Sequence, residues 1–226
     1  MDRVQYEAVE CYMHSCMEDS AHDREHVYRV LYTALWLAEK EEKVDRDVLI
    51  CACLLHDIGR KEQFADPGLC HAQIGGEKAY GFLRSHGYPE SFSRHVKACI
   101  QTHRFRENSQ PESLEAKILF DADKLDVAGA LGIARTLLYQ GYVSTPLYSV
   151  TPDGEISDGT VDGSDSFFQE YKYKLETMYD RFYTEAGRSL ALARKPAAES
   201  YYRALLQEVR QTRGAGKAAL DAVLCK

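Results

Sequence analysis

The chain has 226 residues, of which 45% are hydrophobic and 28% charged, and its net charge is −7; this is the size and composition of one globular domain with a well-filled core. A negative balance without a long basic run excludes general binding to nucleic-acid backbones or anionic membranes. The N-terminal residues lack the apolar core of a signal peptide and no 18 apolar residues run together, so we expect a cytoplasmic protein without a membrane span.

Hydrophobic residues recur at helical spacing along most of the chain. Two amphipathic helices are predicted around residues 4–16 and 27–38, the second with Asp23 as its N-cap. A third is predicted over residues 46–56, beginning at Asp45 as its N-cap. Strand-like alternation is almost absent, so the predicted class is all-α.

Five further helices are predicted over residues 71–85, 91–102, 111–138, 167–195 and 196–211. We expect a bend in the helix over 111–138 at Gly129 or Gly132, and we expect Pro196 in the first turn of the last helix. Residues 139–166 are turn-rich and acidic and predict an unusually long loop, of a length that is commonly functional or disordered. The predicted organisation is a single helical bundle over residues 1–213 with a tail at 214–226.

The seven cysteines are odd in number and mostly lie within apolar helical patterns. This usage indicates reduced, buried thiols rather than a disulfide framework. Cys51 and Cys53 form a C-x-C, but no second pair at zinc-finger spacing accompanies them, which argues against a cysteine–zinc site.

The third helix ends in two polar residues. Residues 48–55 are almost uniformly apolar, and His56 and Asp57 follow them directly. Burial of unpaired polar groups costs roughly 2–7 kcal/mol, so these side chains need a partner if they are buried. A divalent metal with histidine and carboxylate ligands is such a partner. The other candidate ligands are His26 in the second helix and the aspartates of the segment DADKLD: Asp121, Asp123 and Asp126.

Helical geometry separates Asp121 from Asp123. Successive residues turn by about 100°, so the two side chains lie about 200° apart and cannot face one point. Asp121 has Lys117 and Lys124 one turn away, and such neighbours are typical of a solvated, ion-paired face. Asp123 shares its face with apolar residues and with Asp126, which indicates an inward stripe. We therefore prefer Asp123 as the ligand.

Three segments in this order, H-x-x-R-V, LLHDIGR and DADKLD, resemble the HD superfamily of metal-dependent phosphohydrolases. The similarity covers about residues 23–135 and resembles most the small, stand-alone bacterial members. It implies an HD-type helical domain with a divalent metal (Mn, Mg, Fe, Ni, Co or Zn) held by His26, His56, Asp57 and one aspartate of DAD. The aspartate of the family normally follows a small residue, which again favours Asp123.

Two more histidines and two arginines are candidates for the same site. His71 and His103 resemble, more loosely, the positions at which two-metal members of the superfamily place extra histidines. An exposed residue at a helix start and a satisfied core-edge histidine are the alternatives for these two positions. Arg29, one turn after His26, and Arg60, beside the His-Asp pair, are candidates to bind phosphate oxygens, because a guanidinium matches them in bidentate fashion. Pairing with surface acids is the alternative for both arginines.

The resemblance implies a hydrolase whose metal activates water and polarises a phosphoryl group of a small molecule. Asp57 or Asp126 could take the proton of the attacking water, Asp126 only because it shares the helical face of Asp123. The resemblance makes nucleotides the expected substrates. Two alternatives remain: a di-iron oxygenase of the HD type, which requires His71 and His103 as ligands, and a non-catalytic metal- or nucleotide-binding regulator, against which the intact ligand set argues.

Overall fold

The computed structural model describes residues 1–17, 24–104, 109–160 and 163–225. Within these ranges the chain is helical, with no strand and one isolated antiparallel bridge between Val150 and Ile156, so the predicted all-α class is confirmed. None of the helices in these ranges combines the length and the apolar character that a bilayer crossing requires. The predicted N-cap Asp23 lies outside the described residues.

The described ranges contain these α-helices: α1 (Arg3–Met17), α2 (Arg24–Ala38), α3 (Arg46–Leu55), α4 (Arg60–Ala65), α5 (His71–Ser85), α6 (Glu90–Thr102), α7 (Leu114–Leu125), α8 (Gly129–Tyr142), α9 (Phe167–Glu170) and α10 (Glu185–Leu224). The long connection between α8 and α9 lies where the sequence predicts a loop. The chain divides into two compact units. Unit 1 comprises Met1–Asp126 and Phe182–Arg188, and unit 2 comprises Val127–Arg181 and Ser189–Lys226.

Helix α3 lies in the interior of unit 1, where it contacts α1, α2, α5, α6 and α7. It begins as predicted at Asp45, whose side chain accepts hydrogen bonds from the backbone N–H groups of Asp47 and Val48. Because helices surround α3, seven of its ten residues are buried, and this explains the uninterrupted apolar run. The same path carries His56 and Asp57, which follow α3 directly, into the core.

The predicted single helix over residues 111–138 is two helices. Helix α7 ends at Leu125, and α8 begins at Gly129, whose φ of 70° favours glycine. A Cβ at Gly132 would lie 2.1 Å from the carbonyl oxygen of Val127, so the backbone also approaches itself closely there. The helix is therefore broken just before the first of the two glycines at which the sequence predicts a bend.

The C-terminal helices also differ from the prediction. Helix α9 continues into a π-helical turn (Tyr171–Leu175) and a 3₁₀ turn (Met178–Asp180), and helical structure is then interrupted until α10 begins. Helix α10 runs without a break through Pro196, which therefore lies inside a helix rather than in a first turn. It also includes most of the predicted tail. The apolar core of unit 2 combines residues from these elements: Ile133, Ile156, Phe167, Phe168, Tyr171, Leu175, Ala198 and Tyr202.

Candidate metal centre

Four histidines and two aspartates from separate helices of unit 1 meet in two groups of three. We call His26, His56 and Asp123 the first half-site, and Asp57, His71 and His103 the second half-site. Within each half-site, one potential ligand atom per residue lies within 4.8 Å of the others. Five of the six residues are buried, and Asp123 is 17% exposed. The structure thus brings together all of the candidate metal ligands that the sequence singles out, including His71 and His103.

The carboxylate of Asp57 lies between the two half-sites. Its Oδ2 lies 3.6 Å from Nε2 of His26 and 3.6 Å from Nε2 of His56. Its Oδ1 lies 3.3 Å from Nε2 of His71 and 3.7 Å from Nε2 of His103. The position of Asp57, two residues beyond the end of the central helix α3, therefore allows one carboxylate to face both histidine pairs.

Each histidine directs Nε2 into this centre because Nδ1 has an acceptor behind it. Nδ1 of His56 donates to the carbonyl oxygen of Cys53 at 2.7 Å, and Nδ1 of His103 donates to the carbonyl oxygen of Ile100 at 2.6 Å. Nδ1 of His26 donates to Asp126 Oδ2 at 2.7 Å. With the hydrogen on Nδ1, Nε2 of a neutral imidazole carries a lone pair that can bind a metal.

Nδ1 of His71 also has an acceptor behind it, and this acceptor lies in helix α4, which the sequence did not predict. Its Nδ1 donates to Gln63 Oε1 at 2.6 Å, and Gln63 lies in the short helix α4 between the His-Asp pair and α5. Nε2 of His71 consequently faces Nε2 of His103 at 3.3 Å. Sequence reasoning missed Gln63, because a glutamine eight residues before a histidine carries no periodic or motif signal.

The centre is a set of acceptors that fits cations. Nε2 of His26 and Nε2 of His56 are 3.3 Å apart, and Asp57 Oδ2 is buried without a hydrogen-bond partner among the described residues. Buried lone pairs that face each other at such distances repel unless a proton or a metal lies between them. Mixed imidazole and carboxylate donors suit a divalent first-row metal or magnesium, so the residues fit the ion that the sequence predicts.

Electrostatic effects at the centre follow from burial and charge together. Burial opposes protonation of His26, but the carboxylates of Asp123 and Asp126 outweigh it and raise its pKa to about 9. Burial lowers the pKa of His71 to about 2, with Arg60 and Arg104 adding to the effect, and lowers that of His103 to about 3. The second half-site therefore has neutral imidazoles over the ordinary pH range.

The carboxylates of Asp57 and Asp123 are both held ionised. Burial would raise the pKa of Asp57, but the Arg60 guanidinium and the imidazoles hold it well below its usual range. The pKa of Asp123 is likewise held well below its usual range, because Lys124 and His26 outweigh the effect of burial.

Asp121 and Asp123 face different surroundings, and the interpretation of Asp121 as a solvated residue is wrong. Asp121 is fully buried and accepts hydrogen bonds from the backbone N–H of Tyr183, the backbone N–H of Thr184 and the Thr184 hydroxyl, at 2.7–2.9 Å. Burial raises its pKa, although these donors offset part of the effect. Asp121 thus holds the segment that precedes α10 in place. Because the backbone N–H groups of Tyr183 and Thr184 donate to this carboxylate, they do not form helical hydrogen bonds, and helical structure is interrupted there.

The two predicted arginines lie at the centre, and each donates a hydrogen bond to a carboxylate. Arg60 Nε donates to Asp57 Oδ1 at 3.0 Å, and Arg29 Nε donates to Asp126 Oδ1 at 2.7 Å. Their side chains are 24% and 30% exposed, so each links the buried centre to its surface. The structure therefore places Asp126 behind His26, bound to both the imidazole and the guanidinium.

A further arginine belongs to these surroundings. Arg104 directly follows His103, and its Nη1 lies 3.5 Å from Nδ1 of His71. The sequence contained a signal for it, since Arg60 became a candidate only because it adjoins a proposed ligand, and Arg104 satisfies the same criterion.

This chain is similar in sequence to a known protein family and in structure to several solved proteins. A family model described as HD domain matches residues 24–128. The uncharacterized protein YpgQ of Bacillus subtilis is 30% identical over 199 residues, which cover 86% of this chain and 84% of that protein. The crystal structure of YpgQ in complex with ADP has a TM-score of 0.70 at 27% identity, covering 91% of this chain and 98% of that one. A structure from an uncultured Thermotogales bacterium, described as a predicted HD superfamily hydrolase, has a TM-score of 0.59 at 30% identity, covering 91% of this chain and 92% of that one.

Proposed function

This chain belongs to the HD superfamily, and from that membership we propose that it is a metal-dependent phosphohydrolase that cleaves a phosphate ester or anhydride of a nucleotide or a related small molecule. The observation that carries the proposal is the acceptor cluster, in which four Nε2 atoms and two carboxylates converge with Asp57 between the half-sites. The ADP complex of YpgQ supports a nucleotide as the first substrate class to test.

The residues of this chain would divide the work as follows. A divalent cation in the centre supplies Lewis acidity, which polarises a phosphoryl oxygen and lowers the pKa of water. His26, His56, Asp57 and Asp123 hold that cation, as the sequence motif predicts. Asp57 is a better candidate than Asp126 to accept a proton from water, because both carboxylate oxygens of Asp126 already accept hydrogen bonds from His26 and Arg29.

Asp126 and the arginines take supporting parts in this proposal. The carboxylate of Asp126 contacts His26 and Arg29, so it orients the imidazole rather than accepting the proton of water. Arg29 and Arg60 lie where a partly exposed guanidinium can contact non-bridging phosphate oxygens. Arg104, beside His71, is a third cation that can neutralise a phosphate at the same centre.

The test is metal analysis of the purified protein followed by a phosphate-release screen over nucleotides with Mn, Mg, Co and Ni. Wild type is compared with Asp57→Asn and with Asp66→Asn, a matched change in the exposed loop after α4. We expect release of phosphate or pyrophosphate by wild type and Asp66→Asn, and a loss of at least about 100-fold in Asp57→Asn, because a ligand to the catalytic metal is removed. Equal activity of Asp57→Asn and wild type would falsify the proposal.

A di-iron oxygenase is the second candidate function. It requires His71 and His103 as ligands, and both histidines do lie against Asp57. Two irons per chain in protein purified without added metal, together with oxygen consumption and no phosphate release, would favour this candidate over the phosphohydrolase.

A further inference from the structure

We propose that the two half-sites differ in metal affinity, and that Gln63 keeps the second half-site weak by placing a neutral amide behind His71 where the first half-site has a carboxylate behind His26. This inference rests on the proposed metal-dependent function and extends it to the order in which metals bind. Gln63 is a positioning residue in this inference, since its side chain contacts Nδ1 of His71, the nitrogen that faces away from the candidate metal position.

The partners of the four Nδ1 atoms carry the first step. Two of them are backbone carbonyls, one behind a histidine of each half-site, so they do not distinguish the metal affinities of the two half-sites. The remaining pair differs in charge but hardly in geometry: Asp126 Oδ2 accepts from His26 at 2.7 Å, and Gln63 Oε1 accepts from His71 at 2.6 Å. A carboxylate behind a ligating imidazole makes Nε2 more basic than a neutral acceptor does.

The charges around the half-sites carry the second step. Besides the shared Asp57, the first half-site has two carboxylates, Asp123 and Asp126, and two neighbouring cations, Arg29 and Lys124. The second half-site has no carboxylate of its own among the described residues that contact it, and its neighbouring cations are Arg60 and Arg104. Counted without the imidazoles and without Asp57, which faces both half-sites, the carboxylates and cations named for the first half-site balance, whereas only cations are named for the second, and cations oppose a divalent metal ion.

Arg60 adds a direct competition. Its Nε donates to Oδ1 of Asp57, and this is the oxygen that faces His71 and His103. A metal in the second half-site must share this oxygen with a guanidinium, while Oδ2, which faces the first half-site, has no such donor among the described residues. All three observations therefore rank the first half-site above the second.

The experiment is isothermal titration of the metal-stripped full chain with Mn²⁺. We expect a tight event that His26→Ala removes and a weaker event that His103→Ala removes. Gln63→Glu should tighten the weaker event by about 10–100-fold, the usual size of an outer-partner effect on metal affinity. Asp126→Asn, the mirror change, should weaken the tight event by a similar factor.

The control is Gln73→Glu, which adds the same charge at an exposed position of α5, two residues after His71. It should leave both events within about twofold of wild type, because screening by water reduces the effect of an exposed charge. Circular dichroism melts of each variant report whether it is folded. Electron paramagnetic resonance provides a second readout, since a coupled Mn²⁺ pair should appear at lower metal concentration in Gln63→Glu than in wild type.

Equal affinities of the two events in wild type would overturn the inference, as would a Gln63→Glu variant that behaves like Gln73→Glu. A single event in wild type supports the inference if Gln63→Glu gains a second one, and overturns it otherwise. If the metals bind as expected but no phosphoester is cleaved, the inference stands and the proposed function fails. If cleavage occurs while Gln63→Glu leaves binding unchanged, the proposed function stands and the inference fails.

Discussion

At each histidine of the metal centre, the partner of Nδ1 decides which nitrogen can bind a cation. For His56 and His103 this partner is the carbonyl three residues earlier, Cys53 and Ile100. Carbonyls in the last turn of a helix lack the usual donor four residues further on, so a histidine that follows that turn can donate to one of them locally. For these two histidines, the ligating tautomer follows from the position at a helix end alone.

Asp121 provides a prediction at the residue scale. Asp121→Asn replaces one of the two carboxylate oxygens with an NH₂ group. This group faces the backbone N–H groups of Tyr183 and Thr184 and cannot accept from them, so a buried N–H loses its hydrogen-bond partner. We expect the free energy of unfolding, measured by urea denaturation in the presence of a chelator, to fall by about 2–3 kcal/mol. Binding of Mn²⁺ should persist, because Asp121 does not face the centre.

The matched control is Asp123→Asn, two residues away on the same helix. Because Asp123 is partly exposed and its lysine partner is 23% exposed, the free energy of unfolding in chelator should change by less than about 1 kcal/mol. Binding of Mn²⁺ should weaken at least about tenfold. The reverse pattern, with Asp121→Asn harmless and Asp123→Asn unfolded, would contradict the roles assigned to the two aspartates.

These two aspartates also mark what could be predicted from the sequence at this scale. Helical rotation alone separated them, and the structure groups Asp123 with His26 and His56. The same local reasoning misjudged the surroundings of Asp121, because its partners Tyr183 and Thr184 follow 62 and 63 residues later in a segment without helical periodicity. Neighbouring lysines could not reveal a distant backbone contact.

At the element scale, the turn after α3 packs directly against the beginning of α5. A Cβ at Gly59 would lie 2.3 Å from the carbonyl oxygen of His71 and 2.7 Å from the backbone nitrogen of Gly75. Both obstacles are backbone atoms, which cannot rotate away as a side chain can. This contact sets the distance between Asp57 and His71, and therefore the spacing of the second half-site.

Gly59→Ala should consequently reduce the free energy of unfolding by about 3 kcal/mol, at the upper end of the overpacking range. It should also weaken Mn²⁺ binding. Gly81→Ala, in the exposed middle of α5 where an added Cβ meets nothing within 4 Å, should instead raise the free energy of unfolding by about 0.5–1 kcal/mol. Equal effects of the two substitutions in thermal and urea denaturation would show that close packing at Gly59 is unimportant.

Pro196 offers a second prediction at this scale. A proline inside a helix removes one hydrogen bond and clashes with the preceding turn, at a cost of about 3 kcal/mol in an otherwise regular helix. Because α10 is continuous through this position, Pro196→Ala should raise the free energy of unfolding by about 1–3 kcal/mol. The predicted arrangement of two helices, with Pro196 in a first turn, would instead give a neutral or destabilising change. Urea denaturation distinguishes the two arrangements.

Elements with strong local signals could be predicted closely, and those decided by distant contacts could not. Helix α5 spans the predicted residues 71–85, and α3 begins at its predicted cap. At Gly129 the sequence predicts a bend but not the full break, because the positive φ there accompanies a close approach of Arg194, 65 positions further along the chain: a Cβ on Gly129 would lie 2.8 Å from that of Arg194. Hydrophobic periodicity continues across this break and therefore conceals it.

At the scale of the whole molecule, every candidate ligand belongs to unit 1. Metal that binds only the folded state stabilises it by mass action, by about 2.7 kcal/mol at a free concentration of 100 times the Kd. The net charge of −7 favours uptake of cations in general, and within the part of the chain that the structure describes the buried acceptor cluster is where imidazoles and carboxylates meet at metal-binding distances.

Hydrogen exchange tests this assignment across the chain. Addition of Mn²⁺ to metal-stripped protein should slow amide exchange in peptides of unit 1, above all those around His26, His56, His103 and Asp123, because local opening of these helices releases the metal. Peptides from the apolar core of unit 2 should change much less. Protection confined to unit 2 would contradict the location of the centre.

The separation of the ligands along the chain has a consequence for biosynthesis. Asp123 follows His26 by 97 residues, so at about 5–20 residues per second a ribosome needs roughly 5–20 s to make the last candidate ligand after the first. During that interval the early histidines have no complete binding site, because a site assembled from several helices rarely exists before folding. The choice among competing metal ions therefore falls to the finished unit 1, and the metal that the protein acquires should reflect the ions available after synthesis rather than during it.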